Sequence, residues 1–154
     1  MAERPVDFMD RAAKLAREGV ERGEGGPFGA VVVHEGKVVG EANNRVLATN
    51  DPTAHAEILA IRAAALRLKR FHLAGCEIFT TCEPCPMCLA AIHWARLDKV
   101  HYAMTRHDAA AIGFADAAIY AAMTAPHAPL LHTPNSAAKA AFAAWQAKAD
   151  RIQY

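Results

Sequence analysis

The sequence predicts an α/β domain in which helices cover both faces of a mixed β-sheet, a three-layer α/β/α sandwich. Two observations support this fold class. A β-hairpin near the N-terminus is followed by strand-like runs that alternate with helical ones, an order typical of a sheet enclosed by helices. The chain has 154 residues, 53% of them hydrophobic, which is enough for one core. We therefore expect residues 1–154 to form a single domain.

The N-terminal part is predicted to be a helix followed by the hairpin. Apolar side chains recur at helical spacing over residues 7–22, and Asp7 can cap the start of that helix. Strands are predicted at 30–34 and 37–41, because two valine-rich runs flank the two-residue turn Glu35-Gly36. The hairpin therefore begins the sheet.

The middle of the chain supplies a helix and the remaining strands. A polar loop ends near Asp51 and Thr53, either of which can cap a helix that begins near His55. The predicted buried face of this helix consists of five apolar residues: Ile58, Leu59, Ile61, Ala65 and Leu66. The alanines of the chain are interpreted as good helix formers without a functional role. The same patterns predict three further elements: a strand at 77–80, a helix at 85–96 and a strand at 99–103.

The C-terminal part is predicted to be mainly helical. Residues 108–123 are expected to form a helix that is interrupted near Gly113, and the proline-containing stretch 126–134 a loop or short strand. Ser136 opens the last helix. One side of that segment is expected to carry its large apolar side chains: Phe142, Trp145 and Ile152.

Charge and hydropathy argue against several classes of protein. The formal net charge is +1, so the chain has no general basic surplus of the kind that binds nucleic acid. No uncharged apolar run reaches the length of a membrane span, and the N-terminus shows no signal-peptide pattern. The four cysteines fall between Cys76 and Cys88, a clustering more typical of a metal site than of a disulfide framework. We expect a cytoplasmic protein without a nucleic-acid or membrane partner.

The residues suited to chemistry lie in two short motifs. His55-x-Glu57 is followed by Pro84-Cys85-x-x-Cys88, which together form the known signature of zinc deaminases that act on nucleobases. His55, Cys85 and Cys88 are the expected ligands of one zinc ion, whose fourth position is left for a catalytic water. Glu57 is the expected carrier of protons between that water, a ring nitrogen and the departing amine.

The spacing of these residues constrains the local structure. Two residues apart on a regular helix, His55 and Glu57 would point to nearly opposite sides, so they can share a site only if His55 lies at the very start of the helix. A competing hypothesis is a structural zinc site with four protein ligands, for which Cys82 is the nearest further cysteine. A redox-active Cys-x-x-Cys pair is another alternative. Otherwise Cys76 and Cys82 are expected to be small buried side chains.

Beyond the zinc motif, the sequence resembles a known family over nearly its whole length. The matching segments occur in order: Gly25–Val33, Asn50–Glu57, Cys82–Ile92, Trp94–Arg96 and Gly113–Asp116, before an aromatic-bearing C-terminal helix and a final tyrosine. They resemble the cytidine-deaminase superfamily and, within it, the bacterial guanine deaminases. Part of the pattern is shared with transfer RNA adenosine deaminases and with yeast-type cytosine deaminases.

The resemblance implies a set of contacts with a purine base. Asn44 would form a hydrogen bond with the purine, together with the backbone amide of Ala56. Phe28 and Trp94 would flank the flat ring, although Phe28 is equally interpreted as a core residue. Asp116 would accept hydrogen bonds from the donor edge that guanine presents and adenine presents less fully.

The resemblance also implies a homodimer with one zinc ion per subunit. The C-terminal segment, from about residue 130 to 154, would cross to the partner, so that Tyr154 closes the neighbouring site. This chain differs from such relatives at Ala115, where an acid often precedes the acid at position 116.

These features together predict that the protein hydrolyses guanine to xanthine and ammonia. Three alternatives stay open at the level of the sequence. The substrate could be guanosine or another aminopurine or triazine. A transfer RNA adenosine deaminase would be expected to show a basic stripe, especially in the C-terminal helix. A structural zinc module would have four protein ligands and no catalytic water.

Overall fold

Four strands form one mixed sheet in the part of the chain that the structure describes. The computed structural model describes residues 4–124 and 130–153. Its strands are β1 (Gly29–His34), β2 (Lys37–Asn43), β3 (Cys76–Cys82) and β4 (Lys99–Met104). Their order is β2-β1-β3-β4. β1 is antiparallel to β2 and to β3, whereas β3 and β4 are parallel, so the predicted mixed sheet is confirmed.

Helices cover both faces of this sheet. The helices within the described ranges are α1 (Pro5–Glu21), α2 (Val46–Thr49), α3 (Ala56–Leu68), α4 (Pro86–Trp94), α5 (Arg106–Ala111), α6 (Ala117–Thr124) and α7 (Ser136–Ala147). α1 packs on one face through Phe8, which contacts Phe79 of β3. α3 and α4 pack on the other face, where Ala60 and Ile92 join the second core cluster. The predicted three-layer sandwich is therefore confirmed.

The turn between β1 and β2 uses left-handed backbone conformations. Glu35 has a φ of 49° and Gly36 a φ of 73°. A two-residue hairpin turn with positive φ at both positions matches the twist of the flanking strands, and glycine adopts that conformation without strain. The predicted Glu35-Gly36 turn is thus present.

The start of α1 differs from the prediction. The helix begins at Pro5, a first-turn position where the missing amide and fixed φ of proline are favourable. Asp7 lies in the first turn, where its carboxylate accepts a hydrogen bond from the backbone N–H of Arg4 at 2.7 Å. The prediction that Asp7 is the N-cap is therefore wrong, although its charge still suits this end of the helix.

α3 contacts the sheet through its alanines. Ala60 and Ala64 are fully buried, and Gly40 of β2 lies directly beneath them, because a Cβ on Gly40 would lie 2.6 Å from the Ala64 backbone nitrogen. Leu66, a predicted core residue, is 79% exposed. The other predicted core residues are half-buried: Ile58, Leu59, Ile61 and Ala65. The helix lies so close to the sheet that small residues, and not the largest apolar ones, form its contact face.

The predicted polar loop before α3 contains the short helix α2. Neither Asp51 nor Thr53 caps α3, because His55 occupies its N-cap position. Asp51 instead accepts hydrogen bonds from the backbone N–H and the hydroxyl of Thr53, at 2.8 and 2.7 Å. This side-chain turn directs the chain into α3 and leaves the side chain of His55 free for another role.

The region after β4 agrees with the prediction in type. α5 and α6 are separated by residues 112–116, around the predicted break at Gly113. Residues 130–135 are not in a strand, and residues 125–129 of the predicted loop lie outside the described ranges. None of the helices described is both long and apolar enough to cross a membrane.

The last helix begins where it was expected and ends early. α7 opens at Ser136, and the side chain of its N-cap Asn135 accepts a hydrogen bond from the Ala138 amide at 2.9 Å, a favourable cap. The helix ends at Ala147, so Ile152 is not part of it and does not extend its apolar side.

Gly40→Ala should destabilise the protein by about 3 kcal/mol, because the added methyl group meets the backbone of α3. Gly36→Ala is the matched control. Space around the turn glycine is open, so only its positive φ matters and a loss of about 1 kcal/mol is expected. Urea unfolding at one protein concentration measures both variants, and equal losses would contradict the close packing of α3 on β2.

Candidate active site

His55, Cys85 and Cys88 converge on one point. The His55 Nδ1 atom lies 3.6 Å from Cys85 Sγ and 3.5 Å from Cys88 Sγ, and the three atoms all lie within 4.8 Å of one another. Tetrahedral zinc, with Zn–S of about 2.3 Å and Zn–N of about 2.0 Å, separates its nitrogen and sulfur ligands by about 3.5 Å. The group therefore fits three ligands of one zinc ion.

Two helix N-termini position these side chains. His55 is the N-cap of α3, and Cys85 is the N-cap of α4, with extended backbone geometry at both. Cys88 lies in the first turn of α4, which begins at Pro86. N-cap residues stand outside the helical repeat, so the ring of His55 can face the sulfur atoms. The positive end of α4 also favours the thiolate form that binds a metal.

Hydrogen bonds among the three ligand side chains shift their pKa values. Hydrogen bonding from the Cys88 thiol, helped by His55, lowers the pKa of Cys85 to about 4 despite its burial. The same contact with Cys85, together with burial, raises the pKa of Cys88. The hydrogen bond with Cys85 also raises the pKa of His55. One thiolate is thus present at neutral pH, and a binding cation would displace the proton of Cys88.

Glu57 lies beside the ligand group, on the second residue of α3. Its Oε2 atom is 3.5 Å from Cys88 Sγ, and the side chain is buried. Burial raises the pKa of this carboxyl above its usual range, which suits a group that must both accept and release a proton. His55 and Glu57 meet at one site because His55 stands before the helix and Glu57 inside it, as the spacing requires.

Cys82 is not a fourth ligand in this arrangement. It is buried at the end of β3, and its thiol donates a hydrogen bond to the backbone oxygen of Thr105 at 3.6 Å. Burial raises the pKa of Cys82 to about 11, so it stays a thiol. Among the described residues the metal-binding group comprises three side chains, the pattern of a catalytic zinc site and not of a structural one. Cys76 is a buried core residue, as expected.

Asn44 and Ala56 each offer a polar group close to the start of α3. Asn44 is 5% exposed and directly follows β2. Its Oδ1 atom accepts a hydrogen bond from the Val46 N–H at 3.1 Å, which leaves the amide nitrogen available as a donor. Ala56 is the first residue of α3, so its N–H is among those without an intrahelical partner. Their contact with a base stays a prediction.

A pair of aromatic rings connects residues 112–116 to the hairpin. Phe28 and Phe114 pack edge to face, with ring centroids 5.0 Å apart and planes at 88°. Gly26 permits this contact, since a Cβ there would lie 2.9 Å from both rings. Phe28 also packs against the core, so it combines the two roles considered for it. Asp116 follows Phe114 by two residues and is half-buried.

No role for Phe114 was predicted from the sequence. The signal was present in the sequence, because this ring lies between Gly113 and the predicted base-binding residue Asp116. Gly113 has a φ of 98°, a conformation that glycine adopts readily and that reverses the chain after α5. The reversal brings Phe114 onto Phe28.

Trp94, a predicted base contact, lies on the surface of the described chain. Trp94 is the last residue of α4, about 9 Å along the helix axis from Cys88, and it is 70% exposed. It borders a shallow groove with three neighbours: Ala90, His93 and Arg96. Its contact with a base stays a prediction. Tyr154 lies outside the described residues.

Cys85→Ala should abolish zinc retention, because two protein ligands do not form a tight zinc site. Cys82→Ala is the matched control and should keep one zinc per chain, since Cys82 is bonded to Thr105 and not to the ligand group. Metal analysis after dialysis against metal-free buffer distinguishes the two variants. Loss of zinc from both would contradict the three-ligand site.

Comparisons with known sequences agree with this site. Residues 2–104 match the family described as the cytidine and deoxycytidylate deaminase zinc-binding region. The chain is 45% identical over 151 residues to the guanine deaminase of Bacillus subtilis, which covers 96% of this chain and 97% of that protein. It is also 45% identical over 93 residues to a tRNA-specific adenosine deaminase of Aquifex aeolicus, which covers 60% of this chain and 61% of the relative.

Solved structures extend the similarity to the whole fold. The X-ray structure of the Bacillus subtilis guanine deaminase matches with a TM-score of 0.93 and 43% identity, over 99% of both chains. A structure of guanine deaminase from Nitrosomonas europaea matches with a TM-score of 0.70 and 32% identity, over 76% of this chain and 67% of that one. With its His-Cys-Cys group and buried glutamate in place, the chain belongs to the cytidine and deoxycytidylate deaminase family of zinc-binding proteins.

Proposed function

We propose that the protein is a guanine deaminase, which hydrolyses guanine to xanthine and ammonia. The observation that supports this reaction most strongly is the three-ligand group with the buried carboxylate of Glu57 beside it, the arrangement that zinc deaminases of nucleobases require. Similarity to a guanine deaminase over almost the full length of both chains supports guanine as the base.

Glu57 is the residue that carries protons in the proposed reaction. When bound by His55, Cys85 and Cys88, zinc supplies a Lewis acid that makes water a nucleophile at neutral pH. Glu57 lies next to the ligand group, where it would accept two protons from the water in turn, one as the water attacks and one as the new hydroxyl becomes a carbonyl. It would deliver the first to the ring nitrogen and the second to the leaving amine. The burial that raises the pKa of Glu57 makes its carboxylate a stronger base and so assists the first transfer.

The base would lie between the end of the hairpin and the start of α3. Asn44 offers its amide nitrogen and Ala56 its backbone N–H, two donors that suit the acceptor atoms of a purine. Asp116 would accept hydrogen bonds from the N–H groups of guanine. Phe28 and Phe114, which contact each other, provide apolar surface next to the flat ring.

A transfer RNA substrate is supported less well than a free base. The tRNA-specific relative matches only 60% of this chain, whereas the guanine deaminase also matches the C-terminal part. The net charge of +1 provides little general attraction for a polyanion.

Ammonia release from a panel of amines tests the substrate. The panel contains guanine, guanosine, adenine, cytosine and a tRNA anticodon hairpin, and we expect guanine to be turned over most efficiently. If guanine is not turned over and another amine is, the assignment of guanine as the substrate is wrong, but the proposed zinc chemistry is not affected. Salt-sensitive binding of the hairpin with adenosine turnover would favour the nucleic-acid function instead.

Glu57→Ala should reduce guanine turnover by about 10³-fold or more, because proton transfer is lost. The isosteric Glu57→Gln should be similarly inactive, since an amide cannot relay protons. Both variants should keep one zinc per chain, because the three ligands are unchanged. Steady-state kinetics and metal analysis measure these two properties. Retained turnover in either zinc-loaded variant would contradict the role of Glu57 in proton transfer.

We also propose that the active protein is a homodimer in which the segment from about residue 130 to 154 crosses to the partner. Every described residue from 130 to 153 is exposed. The exposed set includes large apolar side chains: Leu130, Leu131, Phe142, Trp145 and Ile152. An apolar helix side of this size needs a covering surface, and exchange of an identical element provides one at low cost.

A partner subunit would also bear on two predicted base contacts. Trp94 is exposed and available to a second copy, and Tyr154 is predicted to close the site of its neighbour. We further propose a cytoplasmic location, because the four cysteines, all among the described residues, form no disulfide, which suits a reducing compartment.

Complementation tests the exchange. Tyr154→Ala impairs the crossing segment and Glu57→Ala impairs the catalytic group, so each homodimer should be weakly active. After the two are co-expressed, a mixed dimer combines an intact site with an intact crossing segment. A random mixture should then recover about a quarter of wild-type turnover, because half of the dimers contain one complete site. Activity no higher than the average of the two parents would contradict the exchange.

A further inference from the structure

Asn43 and Glu24 form a contact directly behind Asn44. Asn43 is 7% exposed. Its Nδ2 atom donates hydrogen bonds to Glu24 Oε2 at 2.7 Å and to the backbone oxygen of Asn44 at 3.0 Å. Glu24 lies in the connection between α1 and β1, so the contact joins two segments 19 residues apart. These two hydrogen bonds of Nδ2 therefore fix the orientation of the Asn43 amide.

Glu24 also holds the chain that follows Asn44. Its backbone oxygen accepts hydrogen bonds from the amides of Leu47 and Ala48, at 3.1 and 3.0 Å, which are N–H groups at the unpaired end of α2. Glu24 thus holds the residue before Asn44 through its side-chain carboxylate and the residues after Asn44 through its backbone carbonyl. The Asn44 N–H donates to the Phe28 oxygen at 2.9 Å, which adds a third restraint.

Two glycines provide the space for this contact. A Cβ on Gly19 would overlap Asn43 Nδ2 and lie 3.0 Å from the Cβ and Cγ atoms of Asn43. A Cβ on Gly25 would overlap Asn44 Oδ1 and lie 2.7 Å from the Asn44 backbone oxygen. Glycine inside a helix is less favourable than alanine, so the close approach of Asn43 explains why Gly19 occupies a buried position in α1.

We infer that Glu24 and Asn43 are positioning residues that set where Asn44 presents its amide nitrogen to the base. The inference rests on the proposed function, in which Asn44 contacts the purine. Both residues lie outside the metal-binding group and act through Asn44, so their loss changes the KM for the base and not kcat or zinc content. Position 43 needs a donor, because a carboxylate there would face the carboxylate of Glu24.

Kinetics of Asn43→Ala and Glu24→Ala test this role. Each should raise the KM for guanine on the order of tenfold, with kcat and zinc content unchanged. Glu21→Ala is the matched control, because Glu21 is exposed near the same end of α1 and pairs with Arg17; its KM should equal that of the wild type. Asn43→Asp should be worse than Asn43→Ala, and adding Glu24→Gln should partly restore it.

The deciding measurement uses the Asn44→Ala background. If Asn43 acts through Asn44, adding Asn43→Ala to that background should raise KM no further. Multiplication of the two single effects would overturn the positioning role. If Asn43→Ala fails to fold, Asn43→Ser, which keeps a donor on a shorter side chain, replaces it in the same comparison.

A crystal structure of zinc-loaded Asn43→Ala separates this inference from the proposed function. Displacement of the Asn44 amide supports the positioning role, whichever base the wild type deaminates. An unmoved Asn44 overturns that role even if guanine is the substrate. A wild-type protein that binds zinc but does not turn over guanine would overturn the proposed function alone.

Discussion

The structure depends on the meeting of two helix N-termini, those of α3 and α4, beyond the end of β3. His55 and Cys85 occupy the two N-cap positions, although neither is among the residue types that favour such positions. Their place outside the helical repeat lets both side chains face one point, and the unpaired amides behind them favour thiolate and carboxylate groups. The N-cap side chains of these two helices thus serve metal binding instead of capping the helices by hydrogen bonds.

Close packing keeps these helix ends in register. α3 lies on the sheet through Ala60 and Ala64, over Gly40, so its distance from β2 leaves no room for adjustment by side-chain rotation. His55 and Glu57 at its start are consequently held by the core of the sandwich. The groups expected to select the base lie at its margins instead: the end of the hairpin, residues 112–116 and the exposed C-terminal segment. The reaction class therefore depends on residues held by the core of the sandwich, and the choice of substrate on residues around it.

Sequence reasoning succeeded where a local pattern determined the structure. The strands, the Glu35-Gly36 turn and the three metal-binding residues follow from alternation, turn chemistry and ligand spacing, each read within a few residues. Sequence reasoning failed where the distance between packed elements determined which residues are buried. Leu66 is exposed because α3 lies too close to the sheet for large residues at the contact face, a fact that hydropathy cannot show. Glu24 and Phe114 were missed since their partners, Asn43 and Phe28, are remote in sequence. The surface that covers the apolar side of α7 could not be predicted either, because one chain does not determine it.

X-ray absorption at the zinc edge of the purified, zinc-loaded protein tests the central claim, that three side chains from two helix ends hold one catalytic zinc. The structure predicts two sulfur neighbours at about 2.3 Å, one imidazole nitrogen at about 2.0 Å and one non-protein oxygen at a similar distance. Addition of a purine analogue should alter the oxygen shell and leave the sulfur shell unchanged. Three sulfur neighbours and no exchangeable oxygen would contradict the claim and indicate a closed structural site that includes Cys82.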